Sequence, residues 1–76
     1  MPRLICTYRE FIDILLSYGF IEHNRTGGSH VRYRGSYGGN VRFVDVAAHH
    51  MGDNIPTGTL KSMIRQSGLS AKLFRK

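Results

Sequence analysis

Residues 20–46, FIEHNRTGGSHVRYRGSYGGNVRFVDV, decide the fold of this 76-residue chain. Three runs rich in β-branched and aromatic residues, at residues 20–25, 29–34 and 40–46, are separated by short glycine-rich connections. Connections of this length and composition are typical of β-hairpins. The segment therefore predicts three antiparallel strands in meander order.

An amphipathic helix is predicted on each side of these strands. Thr7 and Glu10 have the spacing of a capping box, and apolar residues then recur at helical spacing over residues 8–18. A second apolar stripe predicts a helix over residues 57–67, and a glycine follows each helix as a stop signal. We expect residues 1–76 to form one domain. The order α-β-β-β-α predicts an α+β fold in which both helices pack on one face of the three-stranded antiparallel sheet and the other face stays open to solvent.

Alternation along the strands predicts which side chains occupy that open face, because successive residues of a strand point to opposite sides. The inward-facing set is predicted to be Val31, Tyr33, Val41 and Phe43. The outward-facing set is predicted to be His30, Arg32, Arg34 and Arg42. Arg25 of the first strand is expected to approach the same group, since the second strand pairs with both of the others.

His30 is the candidate catalytic residue of this outward-facing group. An imidazole can accept or donate a proton near neutral pH, and fixed guanidiniums can hold a phosphate beside it. Clustered positive charges raise each other's solvation cost unless an anion lies among them. The sequence therefore predicts an RNA or phosphate site around His30, with Ser29 and His49 as secondary candidates and with binding residues Arg25, Arg32, Arg34 and Arg42.

The charge balance points to the same class of partner. Eleven lysines and arginines stand against five aspartates and glutamates, which gives a formal net charge of +6, and eight of the eleven cations are arginine. Such an excess favours a polyanion, with nucleic acid as the first candidate. The single cysteine excludes an internal disulfide, and neither a signal peptide nor an apolar run of membrane-spanning length is visible. We therefore expect a cytoplasmic protein without membrane contact.

The sequence does not predict a metal or cofactor site. Its acidic residues are not clustered as two-metal nuclease chemistry requires. The adjacent pair His49 and His50 has no cysteine or histidine at zinc-ligand spacing. If the chain is a nuclease, it is expected to work without a metal ion.

Several motifs together resemble a known family. They are LSYGF at residues 16–20, Gly28-Ser29-His30, a histidine near the end of the third strand, and GTLKSMIRQSGL at residues 58–69. In this order, over most of the chain, they resemble the HicA toxin family, also described as YcfA-like. The resemblance implies a fold similar to the double-stranded RNA-binding domain and an mRNA interferase activity, which is that of an endoribonuclease toxin. It also implies neutralisation by a HicB-like antitoxin protein and a catalytic role for His30.

Three functions remain open on the sequence. In the first, His30 acts as general base on a ribose 2′-hydroxyl and arginines stabilise the transition state. In the second, the chain is a non-catalytic RNA-binding module of the same fold, which would bind RNA without cutting it. In the third, the basic face mainly docks an acidic partner protein.

Overall fold

The computed structural model describes residues 3–26, 30–47 and 50–75. It confirms the α+β fold with the order α-β-β-β-α. The elements are α1 (Tyr8–Ser17), β1 (Ile21–Thr26), β2 (His30–Gly35), β3 (Arg42–Ala47) and α2 (Thr57–Ser67), with short 3₁₀ turns at Tyr37–Gly39 and Ala71–Phe74. The strands begin one or two residues later than the sequence predicts.

The ends of the helices follow the predicted local signals. The Thr7 hydroxyl accepts a hydrogen bond from the Glu10 backbone N–H at 3.1 Å, and the Glu10 carboxylate accepts one from the Thr7 N–H at 2.9 Å. This reciprocal pair is the predicted capping box, and it satisfies two amides that a helix start leaves free. Helix α2 ends at Gly68, whose φ of 72° places it in the left-handed region that favours glycine.

The sheet is the predicted antiparallel meander, with strand order β1-β2-β3. Its register places His30 opposite Ala47, Arg32 opposite Asp45 and Arg34 opposite Phe43. The pairing of β1 with β2 has one irregularity, between Glu22 and Asn24. Beyond it, Asn24 stands opposite Arg32 and Arg25 stands opposite Val31.

The core lies between the two helices and one face of the sheet, which we call the covered face. Leu15 of α1, Leu60 of α2 and Val44 of β3 are fully buried there. Phe74 closes the core by stacking on Phe11, with 4.9 Å between the ring centroids. The buried apolar residues are Cys6, Phe11, Ile12, Leu15, Phe20, Tyr33, Val44, Val46, Ile55, Leu60, Met63, Ile64, Leu69 and Phe74.

The predicted faces of β3 are wrong. Val41 and Phe43 were expected to point inward, but they are 52% and 41% exposed, whereas Val44 and Val46 are buried. Both faces of this strand offer apolar residues, so its polar residues decide between them. Asp45 shares a face with Phe43, and burying its carboxylate in the middle of the strand would be costly. Shifting the assignment by one residue exchanges the two faces completely.

Candidate functional site

His30 is the first residue of β2 and lies exposed on the face of the sheet opposite the helices, which we call the open face. The exposure pattern of β2 confirms the predicted alternation, because Val31 and Tyr33 turn toward the core while His30, Arg32 and Arg34 turn to solvent. A cleft of about 400 Å³ opens beside His30. Its lining residues are Asn24, His30, Val31, Arg32, Asp45, Val46 and Ala47.

Arg32 is held in this cleft by a carboxylate that the sequence analysis missed. Its Nε donates to Asp45 Oδ1 at 2.8 Å and its Nη2 donates to Asp45 Oδ2 at 3.4 Å. The hydrogen bonds and the charge of Asp45 raise the pKa of Arg32. Arginine stays protonated in folded proteins in any case, so the pair is an ion pair. Because arginine has five N–H donors and Asp45 uses two, Arg32 keeps donors for a phosphate.

Arg34 lies two residues further along the same face. It is exposed, and it stands between Ile21 of β1 and Phe43 of β3 in the register of the sheet. Among the residues that the structure describes, no ion pair involves Arg34. Its charge is therefore available to an anion at the end of the open face away from His30.

The predicted placement of Arg42 on the open face is wrong, for the same reason that the faces of β3 are wrong. Arg42 stands opposite the buried Gly35, and its Nε is buried. Its side chain packs so closely on Gly68 that a Cβ at that glycine would collide with it. A long arginine stem at a strand end can cover apolar surface in this way, so Arg42 supports the end of α2.

The predicted approach of Arg25 to His30 is also wrong. Arg25 stands opposite Val31, on the covered face, and its Nη2 lies 2.7 Å from Glu22 Oε1. Both charges act on Tyr33, which belongs to that same face. Burial and then Glu22 raise the pKa of Tyr33, while Arg25 lowers it. The irregularity in β1 therefore keeps Arg25 away from the cleft.

The structure thus brings together His30, Arg32 and Arg34 but not all four predicted arginines. Ser29 and His49 lie outside the described residues. Within residues 3–26, 30–47 and 50–75, no three histidine, cysteine or acidic side chains are grouped so that they could hold a metal ion.

Three neighbours of the site were not foreseen: Asn24, Asp45 and Phe43. Asn24 lines the cleft, Asp45 binds Arg32, and Phe43 stands directly opposite Arg34. One signal for Asp45 was in the sequence: a carboxylate in the middle of a strand is costly to bury, which favours the open face for Asp45 and for Phe43 two residues before it. Correct pairing of β3 with β2 was needed to place it beside Arg32.

In the part of the chain that the structure describes, no helix has the length and apolar character needed to cross a bilayer.

Comparison with known proteins identifies the family. No curated protein and no solved structure gives a significant match. The family described as the HicA toxin of bacterial toxin-antitoxin matches residues 8–69, which is most of the chain. The chain therefore belongs to the HicA toxin family, and it is a toxin of a bacterial toxin–antitoxin pair.

Proposed function

We propose that this toxin is an endoribonuclease that cleaves mRNA in the cytoplasm without a metal ion, using His30 as general base. The observation that carries the proposal is the position of His30, exposed at a cleft on the open face and followed on that face by Arg32. Membership of the HicA family supports the same activity, because this family is known for toxins that cleave RNA.

The reaction needs only the 2′-hydroxyl of RNA as nucleophile. The neutral imidazole of His30 removes the proton of this hydroxyl, and the 2′-oxygen attacks the adjacent phosphorus. The bond from phosphorus to the 5′-oxygen breaks, and the leaving oxygen takes a proton from water in the open cleft. The products are a 2′,3′-cyclic phosphate, which water can open to a 3′-phosphate, and a free 5′-hydroxyl. DNA lacks the nucleophile and would resist cleavage.

Arg32 is the cation best placed to stabilise the transition state. Extra negative charge develops on the phosphoryl oxygens as the 2′-oxygen attacks, and a preorganised donor stabilises that charge without rearranging. Asp45 holds the Arg32 guanidinium in one orientation through two hydrogen bonds. Arg34 is too far along the strand for the same phosphate and would hold a neighbouring one.

The residues of the cleft support the proposal of metal-independent chemistry. Two-metal phosphoryl chemistry needs several carboxylates around one point. Asp45 is the one carboxylate among the described residues that line the cleft, and both of its oxygens accept hydrogen bonds from Arg32. Proton transfer by His30 and charge stabilisation by Arg32 need only side chains that line the cleft.

The test incubates the purified chain with single-stranded RNA in excess EDTA. We expect wild-type protein to cleave the RNA and to leave DNA of the same sequence intact. General base catalysis contributes about 10²- to 10⁴-fold, so His30→Ala should lower the cleavage rate by that factor. His50→Ala is the matched control, because His50 is an exposed histidine in the β3–α2 loop and does not line the cleft. Thermal unfolding of each variant checks that its fold is intact.

Three results would contradict the proposal. Full activity in His30→Ala would remove the role of His30, and cleavage that stops with EDTA would remove metal independence. RNA that shifts on a gel but stays intact would favour a non-catalytic RNA-binding module.

The antitoxin partner is the second part of the proposed function. Family membership implies such a partner. We expect it to be HicB-like and to neutralise the toxin by covering the open face, so that RNA cannot reach His30. Acidic residues on the antitoxin would complement Arg32 and Arg34 there.

A further inference from the structure

Phe43 is an apolar ring in an unusual place. It is 41% exposed on β3, whereas the chain's three other phenylalanines are almost fully buried. Burying a side chain of this size stabilises a fold substantially. Phe43 forgoes part of this stabilisation because its ring is partly exposed, and the ring lies on the same face of the sheet as His30.

The groups around Phe43 cover only part of the ring, and the residue stays 41% exposed. The His23 ring packs against it, with 5.4 Å between the centroids and a tilt of 60°. The Cζ atom of Arg32 lies 5.6 Å from the Phe43 centroid. Asp45 fixes that guanidinium in turn. A flat π surface bordered by cations is what an unpaired nucleobase stacks on in proteins that bind single-stranded nucleic acid.

The register relates this ring to the proposed cleavage site. Phe43 stands opposite Arg34, which is four residues from His30 on β2. At about 3.3 Å per strand residue, the two positions are about 13 Å apart. A base at Phe43 therefore belongs to another nucleotide than the one whose 2′-hydroxyl meets His30. On β2, Arg32 lies between the two positions, and Arg34, which has no ion pair among the described residues, lies level with Phe43. These two cations would hold the intervening phosphates.

We infer that Phe43, with His23 at its edge and Arg32 over part of it, is a binding site for an unpaired nucleobase a short distance along the RNA from the cleaved bond. The inference rests on the proposed function, because it takes RNA as the substrate. It narrows that substrate to single-stranded RNA, since the bases of a duplex are stacked on each other and cannot reach the ring. Two arginines border Phe43, and this charge favours RNA over an apolar protein segment as the occupant.

The test measures binding of a short single-stranded RNA whose 2′-hydroxyls are methylated, so that it cannot be cleaved. Stacking of one base contributes about 1–3 kcal/mol, so Phe43→Ala should weaken binding by about 5- to 150-fold. Phe43→Trp should restore it, because the larger ring keeps the stacking surface. Val41→Ala is the matched control, as Val41 is an exposed apolar residue just before the same strand. A series of RNAs with one base removed locates the site: one position should matter to wild-type protein and not to Phe43→Ala.

The outcomes separate this inference from the proposed function. If wild-type protein cleaves RNA and Phe43→Ala binds and cleaves equally well, the nucleobase site is refuted and the endoribonuclease stands. If Phe43→Ala keeps its RNA affinity but loses affinity for the antitoxin, the ring is a protein contact and the inference fails. If wild-type protein neither binds nor cleaves RNA, both proposals fall.

Discussion

The covered face and the open face of the sheet are built from the same three strands but carry different classes of side chain. Tyr33, Val44 and Val46 fill the covered face and are buried against the helices. The open face carries His30, the Arg32–Asp45 pair and the exposed Phe43. Alternation makes this division possible, because one strand can contribute to the core and to a site at once.

This difference separates stability from proposed chemistry. Each apolar side chain buried on the covered face contributes about 1.5–3 kcal/mol, and in a chain of 76 residues few other sources of stability are available. The Arg32–Asp45 pair is half-exposed and contributes little to folding. Substitutions on the open face should therefore change RNA binding or cleavage while leaving the fold intact. Those on the covered face should lower the stability of the whole domain.

The largest effect is expected from placing the same charge on each face in turn. Val44→Asp would bury a carboxylate in the core, which costs more than about 4 kcal/mol and would unfold a domain of this size. Phe43→Asp changes the adjacent residue on the open face and should leave the fold intact. Circular dichroism and chemical denaturation of the two variants give the comparison. A folded Val44→Asp variant would contradict the assignment of the two faces of β3.

The contrast between the faces also explains how far the sequence could be interpreted. In β2 every apolar residue falls on one face and every charged residue on the other, so the positions of His30 and Arg32 could be predicted. In and just before β3, Val41 and Phe43 compete with Val44 and Val46 for the core, and alternation alone does not choose between them. The helix ends were predicted because capping and stop signals act over a few residues.

The parts of the site that the sequence did not predict depend on long-range pairing. Arg32 and Asp45 are 13 residues apart in the chain and meet only because β2 and β3 pair in one register. Arg25 was misplaced because the irregularity in β1 has no local sequence signal. Three strands and a histidine could therefore be predicted, whereas the ion pair and the exposed ring of Phe43 needed the structure.

An intermediate effect is expected at Asp45, a negative charge on the open face. On the proposed function, Asp45→Asn removes a charge that would repel RNA phosphates, and it frees donors of Arg32. RNA affinity should rise by up to about fivefold, which corresponds to about 1 kcal/mol for an exposed charge. Asp13→Asn is the matched control, since it changes the net charge equally on exposed α1 surface. Binding of uncleavable RNA is the measurement, and weaker binding by Asp45→Asn would mean that fixing Arg32 matters more than the repulsion.

The smallest effect belongs to the covered face and appears only at alkaline pH. Burial raises the pKa of Tyr33 above its unfolded value of about 10, so the folded chain holds the phenolic proton more tightly than the unfolded chain does. That contribution to stability is complete below the unfolded pKa and is lost as the pH rises through the folded pKa. The free energy of unfolding should therefore fall more steeply above about pH 10 in wild-type protein than in Tyr33→Phe, which has no proton to lose. Denaturation curves from pH 8 to pH 11 compare the free energy of unfolding of the two chains. Every other titrating group is common to both. Parallel pH profiles would therefore contradict a raised pKa of Tyr33 in the folded chain.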